Sequence, residues 1–457
     1  MGKQRELDFL FNPGSIAVVG ASDTPGKLSA IVMESLGGSG FTGGVYPVNP
    51  KYETVRGLKC YPSIKDIGAP IDLAVVAVPA AAVSGVFKEA EGKLRGAVVV
   101  SGGFGETDDR GKALEDELRD VIKKTGIRVV GPNCMGIYDA VSGVDTFFIP
   151  VERIKRPGRG SIAVLSQSGS FALTAMDELA AEGVGVSRVL SYGNMVDVSE
   201  TDCLDFLARD DATETVVLYI ESIKDGRRFV ESAKNCARRK TVMALKVGRG
   251  EVGRAAARSH TGAMAGRDEL YSAAFKKAGV VELSGYEEFM DGCKAVGMQS
   301  AAKGRRVAVI TDAGGIGVNV ADACVSAGLE VSALPDGKKE RLKAVLPSYF
   351  TVGNPLDLTG SATDEWFAEA VGVALDGDDY DLAIVAPLWG PPGLTDRLPE
   401  LLAERIAMAG KPAIICSPGG KYSQERKGLF TERGLPVFAS PESAVRAAAI
   451  LARKGRV

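Results

Sequence analysis

One short pattern recurs three times along the chain and constrains its fold more than any other feature. The segments SIAVVGAS from Ser15, SIAVLSQSGS from Ser161 and RVAVITDAGG from Arg306 each place small or glycine residues directly after an apolar, β-branched run. A helical pattern follows each segment, and successive segments begin 146 and 145 residues apart. A strand, a tight turn and a helix that recur at domain-sized intervals predict three α/β units.

Between these three segments, further apolar runs alternate with helical stretches. Examples of the apolar runs are DLAVVAVP, TVVLYIES and LAIVAPLW. This alternation predicts doubly wound parallel sheets, and the continuous apolar character is typical of strands covered on both faces. Basic segments rich in helix breakers, at 150–160 and 298–306, indicate domain boundaries. We therefore predict an α/β protein of three doubly wound domains, with a Rossmann-like domain over 1–150 and flavodoxin-like domains over 151–300 and 301–457.

Charge and cysteine content disfavour several classes of protein. The net charge of −3 provides no large basic field for nucleic acid, and no apolar run reaches the roughly 20 residues that span a bilayer. The N-terminal segment MGKQRELDFLFNPGS lacks the apolar core of a signal peptide. The seven cysteines are scattered without a C-x-x-C pair, and the chain has a single histidine, so a zinc site or a disulfide framework is not expected. We expect a cytoplasmic protein with no metal site of its own and no nucleic-acid or membrane partner.

The first of the three recurring segments, SIAVVGAS, predicts a nucleotide site of an unusual kind. Gly20-Ala21-Ser22 does not complete the G-x-G-x-x-G pattern of NAD sites. The second strand, GGVYPVNPKYE, ends in Asn49, Pro50 and Lys51 rather than in the acidic residue that would hold a free ribose diol. A lysine suits a phosphorylated ribose better, and the ribose of coenzyme A carries a 3′-phosphate.

Three later strand ends supply small residues and backbone donors that could line a pantetheine channel. They are Val78-Pro79, SGGFGE over 101–106 and GPNCMG over 131–136. Cys134 lies in the last of these, and we predict a buried cysteine there rather than a nucleophile.

The only histidine, His260, lies in the glycine- and alanine-rich stretch GRAAARSHTGAMAG. An imidazole nitrogen is nucleophilic at neutral pH and can form a covalent intermediate, and small neighbours permit close approach. Glu221 ends the strand TVVLYIE upstream, where a carboxylate could accept the imidazole N–H. The serines of Ser166–Ser170 precede a helical pattern and predict an anion site at a helix N-terminus.

Taken in order, VVGAS, VNPK, VPA, SGGFGE and GPNCMG resemble the CoA-binding domain of the NDP-forming acyl-CoA synthetases. This family includes the succinyl-CoA synthetase α subunit and the ADP-forming acetyl-CoA synthetases. Ser259-His260-Thr261-Gly262-Ala263 matches the family's phosphohistidine loop, S-H-T-G-A, while LSQSGS, SYGNMVDV and YIES follow the family order in the second domain. TDAGGIGV and NPLDLTG look like the family's last α-subunit domain, so the resemblance covers nearly the whole chain.

The resemblance implies an α subunit that converts acyl-CoA, phosphate and ADP to a carboxylic acid, CoA and ATP, with acetyl-CoA as the substrate. It implies that His260 carries the phosphoryl group received from an acyl phosphate, that Glu221 orients the imidazole, and that Ser168, Gly169 and Ser170 bind the phosphate. The residues expected to contact CoA are Gly20, Ser22, Lys27, Asn49, Lys51, Val78, Pro79, Glu106 and Asn133.

The nucleotide site of such an enzyme is expected on another chain. The sequence contains no G-x-x-x-x-G-K-[ST] loop and no additional segment of the roughly 200 residues that an ATP-grasp unit needs. The resemblance therefore implies a separate ATP-grasp β subunit that binds ADP or ATP with Mg²⁺, in an α2β2 heterotetramer.

Several alternatives stay open at this stage. A succinyl-CoA synthetase-type α subunit is disfavoured by the third domain, and a non-catalytic acyl-CoA-sensing module is disfavoured by the retained S-H-T-G. An NAD dehydrogenase is a more distant alternative. Arg254 and Arg258 either contact phosphate or nucleotide or are solvated charges, and TDAGGIGV is expected to have a structural or interface role. Asp357, in NPLDLTG, matches the family pattern but has no role that follows from the sequence.

Overall fold

The computed structural model describes residues 7–253 and 268–454. Three sheets form where the recurring pattern predicts them, and each contains the strand of one recurring segment. The first and third are wholly parallel, and the second is parallel apart from two strands at one edge. The chain divides into two compact units. The first contains Met1–Ala181 and Gly185–Leu283 and carries two of the sheets, and the second contains Glu182–Val184 and Ser284–Val457 and carries the third.

The first sheet is wholly parallel, with the strand order β2-β1-β5-β6-β7. Its strands are β1 Ser15–Val19, β2 Gly44–Val48, β5 Ile71–Val76, β6 Leu94–Val99 and β7 Arg128–Val130, and β3 Thr54–Val55 and β4 Leu58–Lys59 form a separate small hairpin. Helices accompany these strands: α1 Asp8–Phe11, α2 Leu28–Gly38, α3 Ala80–Glu89 and α4 Asp109–Thr125.

The second sheet, also in the first unit, has the order β14-β13-β12-β10-β11-β8-β9. Its strands are β8 Gly136–Asp139, β9 Val144–Asp145, β10 Arg159–Ser166, β11 Val186–Ser191, β12 Thr215–Ile220, β13 Thr241–Lys246 and β14 Val281–Leu283. The described helices are α5 Gly169–Ala181, α6 Glu200–Leu207, α7 Gly226–Ala237 and α8 Asp268–Ala278. Strand β8 pairs antiparallel with β11, so the chain after β7 leaves the first sheet and joins the second.

The third sheet forms the core of the second unit, with the order β16-β15-β17-β18-β19. Its strands are β15 Val307–Thr311, β16 Leu356–Asp357, β17 Leu382–Ala386, β18 Ala413–Cys416 and β19 Val437–Phe438. The helices of this unit are α9 Tyr286–Met298, α10 Gly314–Ser326, α11 Asp336–Val345, α12 Asp364–Leu375, α13 Leu398–Ala409, α14 Lys421–Thr431 and α15 Pro441–Lys454.

All three sheets place the first parallel strand between the second and the third in chain order. The order 2-1-3-4-5 is one of the two common doubly wound orders, and it creates a crevice beside β1, β10 and β15, where successive connections leave in opposite directions. The central strands are buried along their length because helices cover both faces, which explains their unbroken apolar character. The predicted doubly wound α/β class is confirmed, whereas the boundaries 1–150, 151–300 and 301–457 stay predictions.

All seven cysteines are buried and unpaired, and they are distributed over both units. None of the helices in the two described ranges is long and apolar enough to cross a membrane.

Candidate functional site

A pocket of about 480 Å³ opens at the carboxyl edge of the first sheet, beside β1 and β5. Six of the nine residues predicted to bind CoA line it, although they come from three strand ends far apart in the sequence. They are Gly20, Lys27, Asn49, Lys51, Val78 and Pro79. The pocket therefore lies at the crevice where doubly wound sheets bind their ligands, and two lysines supply positive charge there.

Local backbone requirements explain two of these residues. Gly20 has φ +85°, and a Cβ there would lie 2.6 Å from the carbonyl oxygen of Ala77, so only glycine fits the turn after β1. Asn49 donates from Nδ2 to the carbonyl of Ala21 at 2.8 Å and accepts from the backbone N–H of Lys51 at 3.0 Å. The asparagine thus connects the two strand ends and fixes the backbone that carries Lys51.

Ser22 lies outside the lining of this pocket, and its predicted contact with CoA stays a prediction. It is only 1% exposed, does not line the pocket, and binds Thr24 through its hydroxyl. Hydrogen bonds with Ser22 and Thr24, helped by the charges of Lys27 and Lys51, lower the pKa of Tyr52 at the pocket wall. Ser22 therefore acts on this pocket through Tyr52 and the turn, not as a lining residue.

A second pocket of about 750 Å³ lies in the same unit and contains the serine loop. Ser168, Gly169 and Ser170 line it, together with Asn133. Asn133 was predicted alongside the CoA-binding residues, but the structure places it beside the predicted phosphate site. Three cationic side chains also line this pocket: Lys112, Arg119 and Lys224.

The serine loop is held in place from both sides. Ser168 accepts from the N–H of Phe171 at 3.3 Å, which caps α5, and its hydroxyl lies 3.1 Å from that of Ser170. Ser166 donates to the carbonyl of Ser168 at 2.6 Å. The start of α5, with its positive dipole end and two hydroxyls, thereby lines this pocket together with three cationic and three acidic side chains. The helix N-terminus, with its free N–H groups, is the part of the pocket that suits an anion.

Glu221 follows β12 directly and is 7% exposed. Its backbone N–H donates to Oε1 of the buried Gln167 at 2.6 Å, and the N–H of Ser222 donates to the same oxygen at 2.9 Å. Gln167 thus connects the backbone at Glu221, the residue predicted to orient the histidine, to the serine loop. His260, Arg254 and Arg258 lie outside the described residues, so the predicted pairing of Glu221 with His260 stays a prediction.

Glu106 lies beside the second pocket rather than in the first. Its Oε1 accepts from the N–H groups of Gly103 at 2.6 Å and Phe104 at 3.1 Å, and its Oε2 accepts from Asn194 at 2.6 Å. Burial of the carboxyl opposes ionisation, but these donors outweigh it and lower the pKa of Glu106. The carboxylate of Glu106 therefore fixes the backbone of the SGGFGE loop, to which it belongs, through the N–H groups of Gly103 and Phe104.

Asn194 is a central residue that the sequence analysis did not single out. Its Nδ2 also donates to Glu115 at 2.9 Å, so one amide connects two carboxylates, and Lys224 donates to its carbonyl. Asn194 lies in SYGNMVDV, a stretch that resembled the family without suggesting a role for this residue. No local signal could have identified it, because both carboxylates belong to the first sheet's loop and helix.

Cys134 lines the second pocket but is only 3% exposed. Burial raises the pKa of its thiol to about 12, so it is not a nucleophile near neutral pH. The prediction of a buried cysteine is confirmed.

Comparison with known proteins assigns each part of the chain to a described domain. Residues 14–140 match the CoA binding domain, residues 159–296 match the succinyl-CoA ligase like flavodoxin domain, and residues 307–451 match the Ligase-CoA domain.

Curated relatives extend this likeness over almost the whole chain. The α subunit of acetate–CoA ligase [ADP-forming] II from Pyrococcus furiosus is 37% identical, with 98% of each chain covered. Acetate–CoA ligase [ADP-forming] I from Archaeoglobus fulgidus is 38% identical over 99% of this chain, which spans 64% of that longer protein.

A solved structure shows the same fold. Acetyl-coenzyme A synthetase 1 of Ca. Korarchaeum cryptofilum, determined in complex with phosphate and ADP, superposes with a TM-score of 0.93 at 33% identity. The match covers 99% of this chain and 97% of that one.

Proposed function

Because the chain belongs to the family of NDP-forming acyl-CoA synthetases that contains the ADP-forming acetate–CoA ligases, we propose that it is the α subunit of an ADP-forming acetyl-CoA synthetase. The observation that carries this proposal is the pair of pockets in the first unit. One is lined by Lys27 and Lys51 and suits the phosphorylated ribose of CoA, and the other contains the serine loop and suits phosphate.

The proposed reaction begins with phosphate held by Ser168–Ser170. A phosphate oxygen forms a bond to the thioester carbonyl carbon, the C–S bond breaks, and the CoA thiolate leaves and takes up a proton. The imidazole of His260 then attacks phosphorus in the acyl phosphate, and acetate departs with the bridging oxygen. Glu221 accepts the other ring N–H and stabilises the charged ring. The N–H groups and hydroxyls of the serine loop stabilise the transferring phosphoryl group.

The phosphoryl group then passes to ADP on a partner. We propose a separate ATP-grasp β subunit that binds ADP or ATP with Mg²⁺, in an α2β2 assembly. The naming of the Pyrococcus relative as a subunit α supports a partner chain, and the greater length of the Archaeoglobus relative agrees with a further unit being needed. Seven unpaired cysteines fit the reducing cytoplasm, which we propose as the location.

Transfer of labelled phosphate tests the proposal directly. The full chain, with and without its partner subunit, is incubated with acetyl-CoA and ³²P-labelled inorganic phosphate. We expect acid-labile label on the chain, because phosphohistidine hydrolyses in acid. Absence of label from acetyl-CoA and from other acyl-CoAs, in the presence of an active partner, would leave a CoA-binding module and overturn the synthetase proposal.

Lys51→Met tests the assignment of the first pocket. The wild-type chain is expected to bind CoA about tenfold more tightly than dephospho-CoA, which lacks the 3′-phosphate. The reason is that the net free energy of one charge-assisted hydrogen bond corresponds to roughly a tenfold change in the dissociation constant. Lys51→Met should reduce this preference, because Lys27 remains in the pocket, and should leave the affinity for dephospho-CoA unchanged. Titration calorimetry with the two ligands measures both affinities.

Lys59→Met is the matched control, because Lys59 is an exposed lysine of the adjacent hairpin that does not line the pocket. A preference for CoA that is undiminished in Lys51→Met would remove Lys51 from the 3′-phosphate site.

A further inference from the structure

The loop after β11 (residues 192–195, the 192–195 loop) joins the two sheets of the first unit at the second pocket. The N–H of Asn194 donates to the carbonyl of Pro132 at 3.0 Å, and the N–H of Val196 donates to that of Gly131 at 3.0 Å. Gly193 has φ +53°, and a Cβ there would lie 2.3 Å from the Pro132 carbonyl oxygen. The backbone of this loop therefore lies directly against the strand end of the first sheet that carries Asn133.

The side chain of Asn194 extends this contact to the SGGFGE loop. One amide group donates to Glu106 at 2.6 Å and to Glu115 at 2.9 Å. Glu106 holds the N–H groups of Gly103 and Phe104, while Glu115, on α4, accepts from the N–H of Gly105 at 3.2 Å and pairs with Arg119. Three successive N–H groups of the SGGFGE loop are thus positioned through carboxylates that Asn194 connects.

Lys224 fixes the same loop from the opposite side. Its Nζ donates to the carbonyls of Asn194 and Met195, each at 2.8 Å. Met195 adopts φ +54°, a strained conformation for this residue type, and these hydrogen bonds help to hold it. Lys224 lies three residues after Glu221, so the strand end that bears the proposed histidine-orienting carboxylate also anchors the loop that reaches the first sheet.

We propose that Asn194 is a positioning residue that sets the thioester of acyl-CoA in line with the phosphate on the serine loop. This inference rests on the proposed function. The amide connects the SGGFGE loop of the first sheet, through Glu106 and Glu115, to the 192–195 loop of the second. Its role belongs to the first chemical step, in which phosphate attacks the thioester, and not to phosphoryl transfer from the acyl phosphate to His260.

Two phosphoryl donors separate these steps. Labelling of the chain by ³²P-phosphate with acetyl-CoA requires attack on the thioester, whereas labelling by acetyl [³²P]phosphate bypasses it. In Asn194→Ala the first route should slow about tenfold to 100-fold, because small misplacement of reacting groups has effects of this order. Asn194→Asp, which adds a third carboxylate between Glu106 and Glu115, should slow it further. Labelling from acetyl phosphate and the affinity for CoA should stay unchanged in Asn194→Ala.

Gln299→Ala is the matched control, because Gln299 is a partly buried amide in the second unit that donates to Gly434 and accepts from Ala413. It should alter neither route. Equal rates in wild type and both Asn194 variants, or an equal loss by both routes in Asn194→Ala with the wild-type circular dichroism, would overturn the positioning role. Absence of label from either donor in the wild type would instead overturn the proposed function, and the positioning role with it.

Discussion

An alanine in place of His260 is expected to abolish labelling of the chain and to lower acetate-forming turnover by about 10⁴-fold or more, the order of loss when an enzyme loses its covalent group. The physical reason is that an imidazole nitrogen is the nucleophile that receives the phosphoryl group, and alanine offers no atom to replace it. The measurement is acid-labile ³²P on the chain together with the rate of ATP formation in the presence of the partner subunit.

Two further observations make the result specific to the histidine. Binding of CoA by His260→Ala should equal that of the wild type, because the pocket beside β1 is formed by other residues. Acetyl phosphate formed from acetyl-CoA and phosphate should still be detectable, since that step precedes phosphoryl transfer to the ring. Label retained by His260→Ala would show that another group carries phosphate.

Glu221→Gln is expected to slow phosphoryl transfer by about 100-fold or more, within the range for loss of a group that assists a reacting side chain. Glutamine preserves the size of the side chain and the backbone hydrogen bond to Gln167, so the strand end keeps its conformation. It removes the negative charge that would stabilise a positively charged ring and fix its tautomer. Single-turnover labelling by acetyl [³²P]phosphate measures this step alone.

Glu214→Gln provides the control for Glu221. Glu214 precedes the same strand at its opposite end, is exposed, and uses its backbone N–H to bind Ser161. Its substitution should leave the labelling rate unchanged. A Glu221→Gln variant that labels at the wild-type rate would remove Glu221 from the mechanism and leave it as a buried structural carboxylate.

The fold and the first pocket follow from short-range patterns. The apolar runs became buried strands because parallel strands are covered on both faces, and glycine at position 20 marks a turn that no other residue fits. Asn49, Lys51, Val78 and Pro79 converge because the carboxyl ends of parallel strands meet at one edge of a sheet. The alternation of apolar strands with helices, together with the residues at the strand ends, was sufficient to predict this arrangement.

The second pocket forms where the chain passes from the first sheet to the second, and no sequence pattern indicates where this passage occurs. Asn133 precedes β8, which pairs with β11 of the second sheet, so its loop turns away from the first pocket. The hydroxyl of Ser22 forms a hydrogen bond with Thr24 two residues later, a contact that the motif alone does not predict. Asn194 and Glu115 are 79 residues apart, and their hydrogen bond exists only after both sheets have formed.

The burial of every cysteine has a consequence for chemical selectivity. A thiolate exchanges readily with thioesters and a protonated thiol does not, so an accessible cysteine beside acyl-CoA would acylate itself. Burial raises the pKa of Cys134, Cys236, Cys324 and Cys416 to about 12, and Cys134 borders the pocket where the thioester is proposed to react. In the proposed reaction, the acyl-CoA thioester would therefore meet no sulfur nucleophile from the protein, and the acyl group would be kept from transfer to the chain itself.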